Sequence, residues 1–100
     1  MLVIEIRQTA EYEKWFDSLK DRTARVRVDM RIRRLSLGNC GTIEAVGEGV
    51  SELKVDYGPG YRVYFVQHAS HCVLLLAGGD KSSQARDIRR AKELARKYKE

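Results

Sequence analysis

The residues best suited to chemistry lie in Glu52-Leu-Lys-Val-Asp-Tyr-Gly-Pro-Gly-Tyr-Arg-Val-Tyr-Phe65. Apolar and polar residues alternate on both sides of Gly58-Pro59-Gly60, which marks two strands joined by a turn. With a symmetric turn, Tyr57 opposes Tyr61, Val55 opposes Val63 and Leu53 opposes Phe65 on an apolar face. The other face pairs Asp56 with Arg62 and Lys54 with Tyr64, with Glu52 further along. The alternation is self-consistent, because a one-residue slip would put charges into the core. It predicts a sheet with one apolar face under helices and one polar, basic-aromatic face. The Gly-Pro-Gly turn is not a phosphate loop, because no helix start follows it.

A face carrying Lys54, Arg62 and Tyr64 suits a phosphodiester. Arginine grips phosphate bidentately, lysine supplies a point charge, and tyrosine stacks on a base or donates a hydrogen bond. Each residue also has a plain structural alternative. Arg62 can pair with Asp56, Lys54 can be a solvated strand lysine, and Tyr64 can be a cross-strand packing partner.

The elements around this hairpin set the context. The 100 residues are expected to form one domain spanning 1–100. The apolar content is that of a globular chain. The formal charge of +5 is concentrated in two segments, Lys20 to Arg34 and Lys81 to Lys99. Two basic helices point to an anionic partner such as nucleic acid or an acidic protein, or else to solvated helix faces. No apolar run approaches a membrane span, and the N-terminus lacks the pattern of a signal peptide. A cytoplasmic location without membrane contact is expected. Cys40 and Cys72 are isolated and expected to be reduced; no metal and no cofactor is expected.

Leu2 to Ile6 reads as a strand. Thr9 is placed to cap a helix with Tyr12, Trp15, Phe16 and Leu19 on one face. A second helix runs from about Arg22 to Leu37 on the stripe Ala24, Val28, Ile32 and Leu35, and Gly38 ends it. The two should form a hairpin packed on a sheet. The period then changes to two. Thr42–Val46, Val50–Tyr57, Tyr61–Gln67 and His71–Ala77 read as four consecutive strands of an antiparallel meander. The last is apolar on both faces and should be central. Gly78-Gly79 should break it. A final helix follows from about Ser83 to Tyr98, with Ile88, Ala91, Leu94, Ala95 and Tyr98 inward. The fold class is therefore α+β.

The Glu52–Phe65 block, together with Leu-Leu-Leu-Ala-Gly-Gly-Asp-Lys-Ser-Ser-Gln-Ala-Arg-Asp-Ile88, resembles the RelE/ParE toxin superfamily. The similarity is to its HigB-like, "addiction module killer" branch of type II toxin–antitoxin systems. The order of elements matches along nearly the whole chain. The resemblance implies a RelE-like α+β fold similar to microbial ribonucleases, and a toxin that inhibits translation by cutting mRNA on the ribosome. It implies catalytic roles for Lys54, Arg62 and Lys81 around the scissile phosphate. Tyr64, Tyr57 and Arg86 are the expected RNA contacts. RelE proper carries a tyrosine six residues past the last basic residue; here that position holds Asp87.

The implied reaction is attack of an RNA 2′-hydroxyl on its own phosphate, leaving a 2′,3′-cyclic phosphate and a free 5′-hydroxyl. Arg62 would stabilise charge on the phosphate oxygens, Lys54 would activate the 2′-hydroxyl, and Lys81 would brace the phosphate or leaving oxygen. His68 and His71 are acid–base groups by type, but they fall at the turn between the last two strands and are expected to be incidental. The expected partners are the ribosome, mRNA and a cognate antitoxin, a helix-turn-helix protein encoded nearby. Two other functions share this surface: a ParE-like inhibitor of DNA gyrase without nuclease activity, and an inactive nucleic-acid-binding relative.

Overall fold

The computed structural model describes residues 3–98. The chain runs β1 (Glu5–Gln8), α1 (Ala10–Ser18), α2 (Arg22–Ser36), β2 (Ile43–Gly47), β3 (Val50–Val55), β4 (Tyr61–Ala69) and β5 (Cys72–Gly79). A short 3₁₀ turn (Lys81–Ser83) leads into α3 (Gln84–Lys97). Leu2, placed in the first strand by its pattern, lies outside the described residues. The five strands form one sheet in the order β1-β5-β4-β3-β2. Strands β2 to β5 are the antiparallel meander expected, and β1 adds in parallel beside β5. β5 is thus an interior strand, buried on both faces as its composition requires.

Local signals in the sequence set the helix boundaries. The Thr9 hydroxyl accepts from the Tyr12 amide at 3.0 Å and donates to the Leu76 carbonyl at 2.7 Å, so one side chain caps α1 and ties it to the sheet. Asp21 caps α2 by accepting from the amides of Thr23 and Ala24. Gly38, at φ +88°, closes that helix in the left-handed conformation that glycine adopts without strain.

The sheet is covered on both faces. On one side Tyr12, Val28 and Leu35 of the helical hairpin pack on Leu53, Val55, Val63, Phe65, Val73 and Leu75. On the other, Ala91 and Leu94 of α3 pack on Val50, Tyr64, Leu74, Leu76 and Ala77. The expectation of a wholly polar second face is therefore corrected. The inward stripe of α3 needs an apolar platform, and β5 supplies it. A bulge between Leu75 and Ala77 turns Leu76 and Ala77 to the same side.

Three further expectations are corrected. Gly78 and Gly79 do not break β5; they pair with Val63 and Arg62. A Cβ at Gly78 would overlap the Trp15 ring, and one at Gly79 would overlap the Asp87 carboxylate. The glycines permit close approach from opposite faces instead. Tyr98 is not inward: it follows the end of α3 and is 41% exposed. The β3–β4 register is displaced by two residues from the symmetric turn, with Val55 opposite Tyr61, Leu53 opposite Val63 and Glu52 opposite Tyr64. The connection is the five-residue loop 56–60, closed by Gly60 N–H donating to the Tyr57 carbonyl at 3.0 Å, with Gly58 at φ +56°. A two-residue shift preserves the faces, so the alternation holds while the cross-strand partners change.

Candidate functional site

The register change brings Lys54 and Arg62 directly opposite one another. Two cations across a pair of strands repel, which a sheet built only for stability avoids. They stand where the β3–β4 loop, the end of β5 and the flank of α2 enclose a cleft of about 480 Å³. Arg31, Lys54, Arg62 and Lys81 line it, with Asp56 and Tyr61, and the Gly58–Gly60 turn forms one wall. Four basic side chains thus face one opening against one lining carboxylate.

Separate devices position each cation. Arg62 Nη1 donates to the Gly60 carbonyl at 2.9 Å, so the loop holds the guanidinium at the cleft wall. A Cβ at Gly60 would lie 3.4 Å from Arg62 Nη1 and 4.0 Å from Lys81 Cβ, which shows how closely loop, arginine and lysine meet. Lys81 rides on the 3₁₀ turn capped by Asp80, whose carboxylate accepts from the Ser82 amide at 2.8 Å and from the Ser82 hydroxyl. The Ser82 hydroxyl, then the amides of Ser82 and Ser83 and the Arg62 charge, hold the Asp80 carboxyl below its ordinary range, outweighing partial desolvation. Lys54 is partly exposed, with Glu44 at 4.0 Å as a loose surface neighbour.

Arg31 is the residue that the sequence did not single out. Its guanidinium donates to the carbonyls of Lys54, Cys40 (3.2 Å) and Thr42 (3.4 Å), pinning α2 to the ends of β2 and β3. Desolvation, and then the charge of Arg34, lower its pKa from the ordinary arginine value. Gly41, at φ +65°, lets the guanidinium lie over its backbone, where a Cβ would be 2.6 Å from Nη2. The available signal was its place three residues after Val28 and four before Leu35, on the edge of the buried stripe.

Beneath the cleft, Glu52 is fully buried on the α3 side. Its Oε2 accepts from the Tyr64 hydroxyl at 2.9 Å and from Gln84 Nε2 at 2.8 Å, and lies 3.6 Å from Arg62 Nε. Arg62 therefore has Glu52 as its charge partner, not Asp56. Burial, then the bond to Glu52 and the negative charges of Glu52 and Asp87, raise the Tyr64 pKa far above the ordinary tyrosine value, so its hydroxyl stays protonated.

Lys54, Arg62 and Lys81 are thus brought into one cleft. The three expected RNA contacts are not. Tyr64 is fully buried and cannot stack on a base; packing is its role, as the plain alternative had it. Tyr57 turns toward α2, donating to Asp21 at 3.0 Å with the Arg27 guanidinium 4.9 Å from its ring centre. Arg86 projects from the first turn of α3 into a different groove, with Glu11 and Arg90. Tyr61 is the aromatic residue that lines the cleft; its ring also meets Trp15 edge-on at 6.4 Å. Asp87 accepts from Ser83 and lies over Gly79, so it does not supply the aromatic group. His68 is six residues along β4 from Arg62, about 20 Å at the rise of a strand, and both histidines are exposed. Among the described residues, no three His, Cys, Asp or Glu side chains cluster as metal ligands would, and no helix is long and apolar enough to cross a membrane.

A five-stranded sheet with a helical hairpin on one face, a terminal helix on the other and a basic cleft at one end is an α+β protein with a fold similar to that of the RelE toxin. One chain in the crystal structure of the toxin–antitoxin complex RelBE2 from Mycobacterium tuberculosis superposes with a TM-score of 0.60 at 17% identity, covering 80% of this chain and 100% of that one. Residues 14–100 match the family "Phage derived protein Gp49-like (DUF891)", and the chain belongs to that family. A Haemophilus influenzae protein bearing the name "Uncharacterized protein" is 44% identical over 94 residues, which is 94% of this chain and 95% of that protein.

Proposed function

We propose that this protein is the toxin component of a type II toxin–antitoxin system, and that it acts in the cytoplasm as a metal-independent endoribonuclease on ribosome-bound mRNA. The observation that carries this reading is the convergence of Arg31, Lys54, Arg62 and Lys81 on one cleft with a single lining carboxylate. Such a cleft suits the negatively charged non-bridging oxygens of a phosphodiester better than any neutral ligand. The RelE-like fold supports the toxin role, and the two sequence blocks favour the HigB-like branch.

In this mechanism the 2′-oxygen attacks its adjacent phosphorus while the 5′-oxygen of the next nucleotide leaves. The products are a 2′,3′-cyclic phosphate and a 5′-hydroxyl. Arg62 and Arg31 neutralise charge that grows on the non-bridging oxygens. Lys81 faces the leaving oxygen. Lys54 lies beside the 2′-hydroxyl and stabilises the oxyanion that develops there; the proton passes to Asp56, the carboxylate in the cleft, and Lys81 gives a proton to the departing 5′-oxygen. No histidine is at hand, and a well-matched acid–base group contributes roughly 10²–10⁴-fold. The larger share of the rate must come from electrostatics and from alignment of the mRNA by the ribosome. Tyr61 is placed to stack on a base beside the cut.

An adjacent helix-turn-helix antitoxin is the partner this reading requires. The exposed Val26 and Met30 beside Arg27, Arg31 and Arg34 on α2 offer an acidic amphipathic segment both apolar and charged contact.

The test is cutting of ribosome-bound mRNA by wild type, Lys54→Ala and Arg62→Ala. Both variants should lose at least about tenfold in rate. Undiminished cutting by both removes the assignment. Double-strand DNA breaks on induction, with reporter mRNA intact, favour gyrase as the target instead.

A further inference from the structure

The buried charges under the cleft carry a second inference, which rests on the anion-binding role proposed for Arg62. Glu52 is fully buried and Arg62 is 9% exposed. Opposite charges so far from water ordinarily close into direct contact, because contact is what offsets their desolvation. Here Glu52 Oε2 stops 3.6 Å from Arg62 Nε, beyond a hydrogen bond. Arg62 Nε and Glu52 Oε1 are both buried without a hydrogen-bond partner. Two unsatisfied buried atoms, one on each partner of an ion pair, are costly and call for a cause.

The cause is visible in the partners that Glu52 already has. Oε2 already accepts from two donors, the Tyr64 hydroxyl of β4 and Gln84 Nε2 at the start of α3. Both bind the oxygen nearest Arg62 and fix it between sheet and helix. The Tyr64 hydroxyl keeps its proton, so this donor persists through the neutral range. On the far side of Arg62, the Gly60 carbonyl holds Nη1 toward the loop. The guanidinium is thus held between two anchors, and its Nε–H is hydrogen-bonded to neither.

We propose that Glu52 is a positioning residue restrained by Tyr64 and Gln84, which keep its carboxylate close enough to orient Arg62 but short of a hydrogen bond to it, leaving the guanidinium less tightly engaged and more available to a phosphodiester in the cleft. Removing a restraint lets Glu52 close onto Arg62 Nε. Removing the Glu52 charge leaves Arg62 more positive and less well oriented. The two changes must therefore shift anion affinity in opposite directions. A merely structural role predicts loss in both.

The experiment uses full-length protein and two readouts. The first is the Arg62 Nε–Hε signal in ¹⁵N NMR, assigned by its loss in Arg62→Lys. The second is the Kd for a short 2′-O-methyl RNA, which binds without being cut. In Tyr64→Phe, and further in Tyr64→Phe/Gln84→Ala, the Hε signal should move downfield and the Kd should rise about threefold or more. In Glu52→Gln the Hε signal should show no downfield move, and the Kd should fall by a similar factor. An Hε signal unmoved in the double variant, or Kd shifts of the same sign in Tyr64→Phe and Glu52→Gln, overturns the proposal. If Glu52→Gln does not fold, Hε in the Tyr64 and Gln84 variants still decides. A moved Hε signal in a protein that binds no RNA upholds the restraint and sinks the RNA reading. Tight RNA binding with an unmoved signal does the reverse.

Discussion

The two faces of the sheet are built from the same strands but to different rules. Under the helical hairpin, Leu53, Val55, Val63 and Phe65 meet Tyr12, Val28 and Leu35 in an aliphatic-aromatic core. Under α3, the alternate residues of the same two strands are Val50, Glu52, Lys54, Arg62, Tyr64 and Val66. The first face is apolar through Leu53, Val55, Val63 and Phe65, with Ser51 and Gln67 only at its margin. The second is apolar at the Val50 end, polar but buried at Glu52 and Tyr64, and cationic at Lys54 and Arg62, where it meets the cleft. Stability is concentrated on one side of the sheet. The other gives up part of it, through like charges in register and unsatisfied buried atoms, to present charge at one end.

The largest expected effect comes from breaking the buried pair on the second face. Arg62→Ala leaves Glu52 alone among buried groups and should cost about 3–5 kcal/mol of stability, besides the loss of cutting. Denaturant unfolding checks the first part. Arg62→Ala/Glu52→Gln should recover much of that stability and none of the activity. A double variant no more stable than Arg62→Ala would mean that the two charges are not coupled.

On the first face the expected effect is nearly as large but of another kind. Leu53→Ala removes a fully buried side chain and should cost about 2–5 kcal/mol by leaving a cavity. Its cutting rate per folded molecule should equal that of wild type. A rate loss at temperatures where the variant is fully folded would show that the faces are not separable.

Lys54→Ala inverts that pattern. It should change stability by no more than about 0.5 kcal/mol, because the side chain is partly exposed and stands opposite another cation. A thermal melt that drops by many degrees would mean that Lys54 holds the hairpin together, and would remove it from the list of residues kept for function.

These differences also explain what could be read from the sequence. The α1–α2 face was legible because a period of 3.6 and a period of two each report burial directly, and Thr9 and Gly38 mark two of the helix ends. The cleft was half legible. Alternation placed Lys54 and Arg62 on one face whatever the register, and chain order put Lys81 just past the next strand. The symmetric turn failed because Tyr57 leaves the strand for Asp21 and Arg27, a choice made by α2 and invisible in the hairpin itself. Tyr64 was misread because polarity along a strand does not say which helix will roof it. Glu52 looked like a surface residue for the same reason. Arg31 reaches the cleft from 23 residues before Lys54, across a contact that only the folded chain creates.

The smallest effect tests whether the turn carrying Lys81 is held by Asp80. The folded Asp80 carboxyl titrates below its ordinary range, chiefly through the Ser82 hydroxyl. A depressed carboxyl contributes stability that is fully present above the unfolded value near 3.8, and that is lost as pH falls through the folded value. Wild-type melting temperature should therefore fall more steeply with acid below about pH 4 than that of Asp80→Asn, and the two curves should run parallel at neutral pH. Parallel curves throughout would mean that the cap contributes nothing to folding. Cutting at neutral pH separates the roles further. If Asp80 only shapes the turn, Asp80→Asn keeps the Ser82 contacts in part and cuts at close to the wild-type rate. If its charge also balances Arg62, the variant binds the uncleavable RNA more tightly, as Glu52→Gln is expected to do from beneath the same guanidinium.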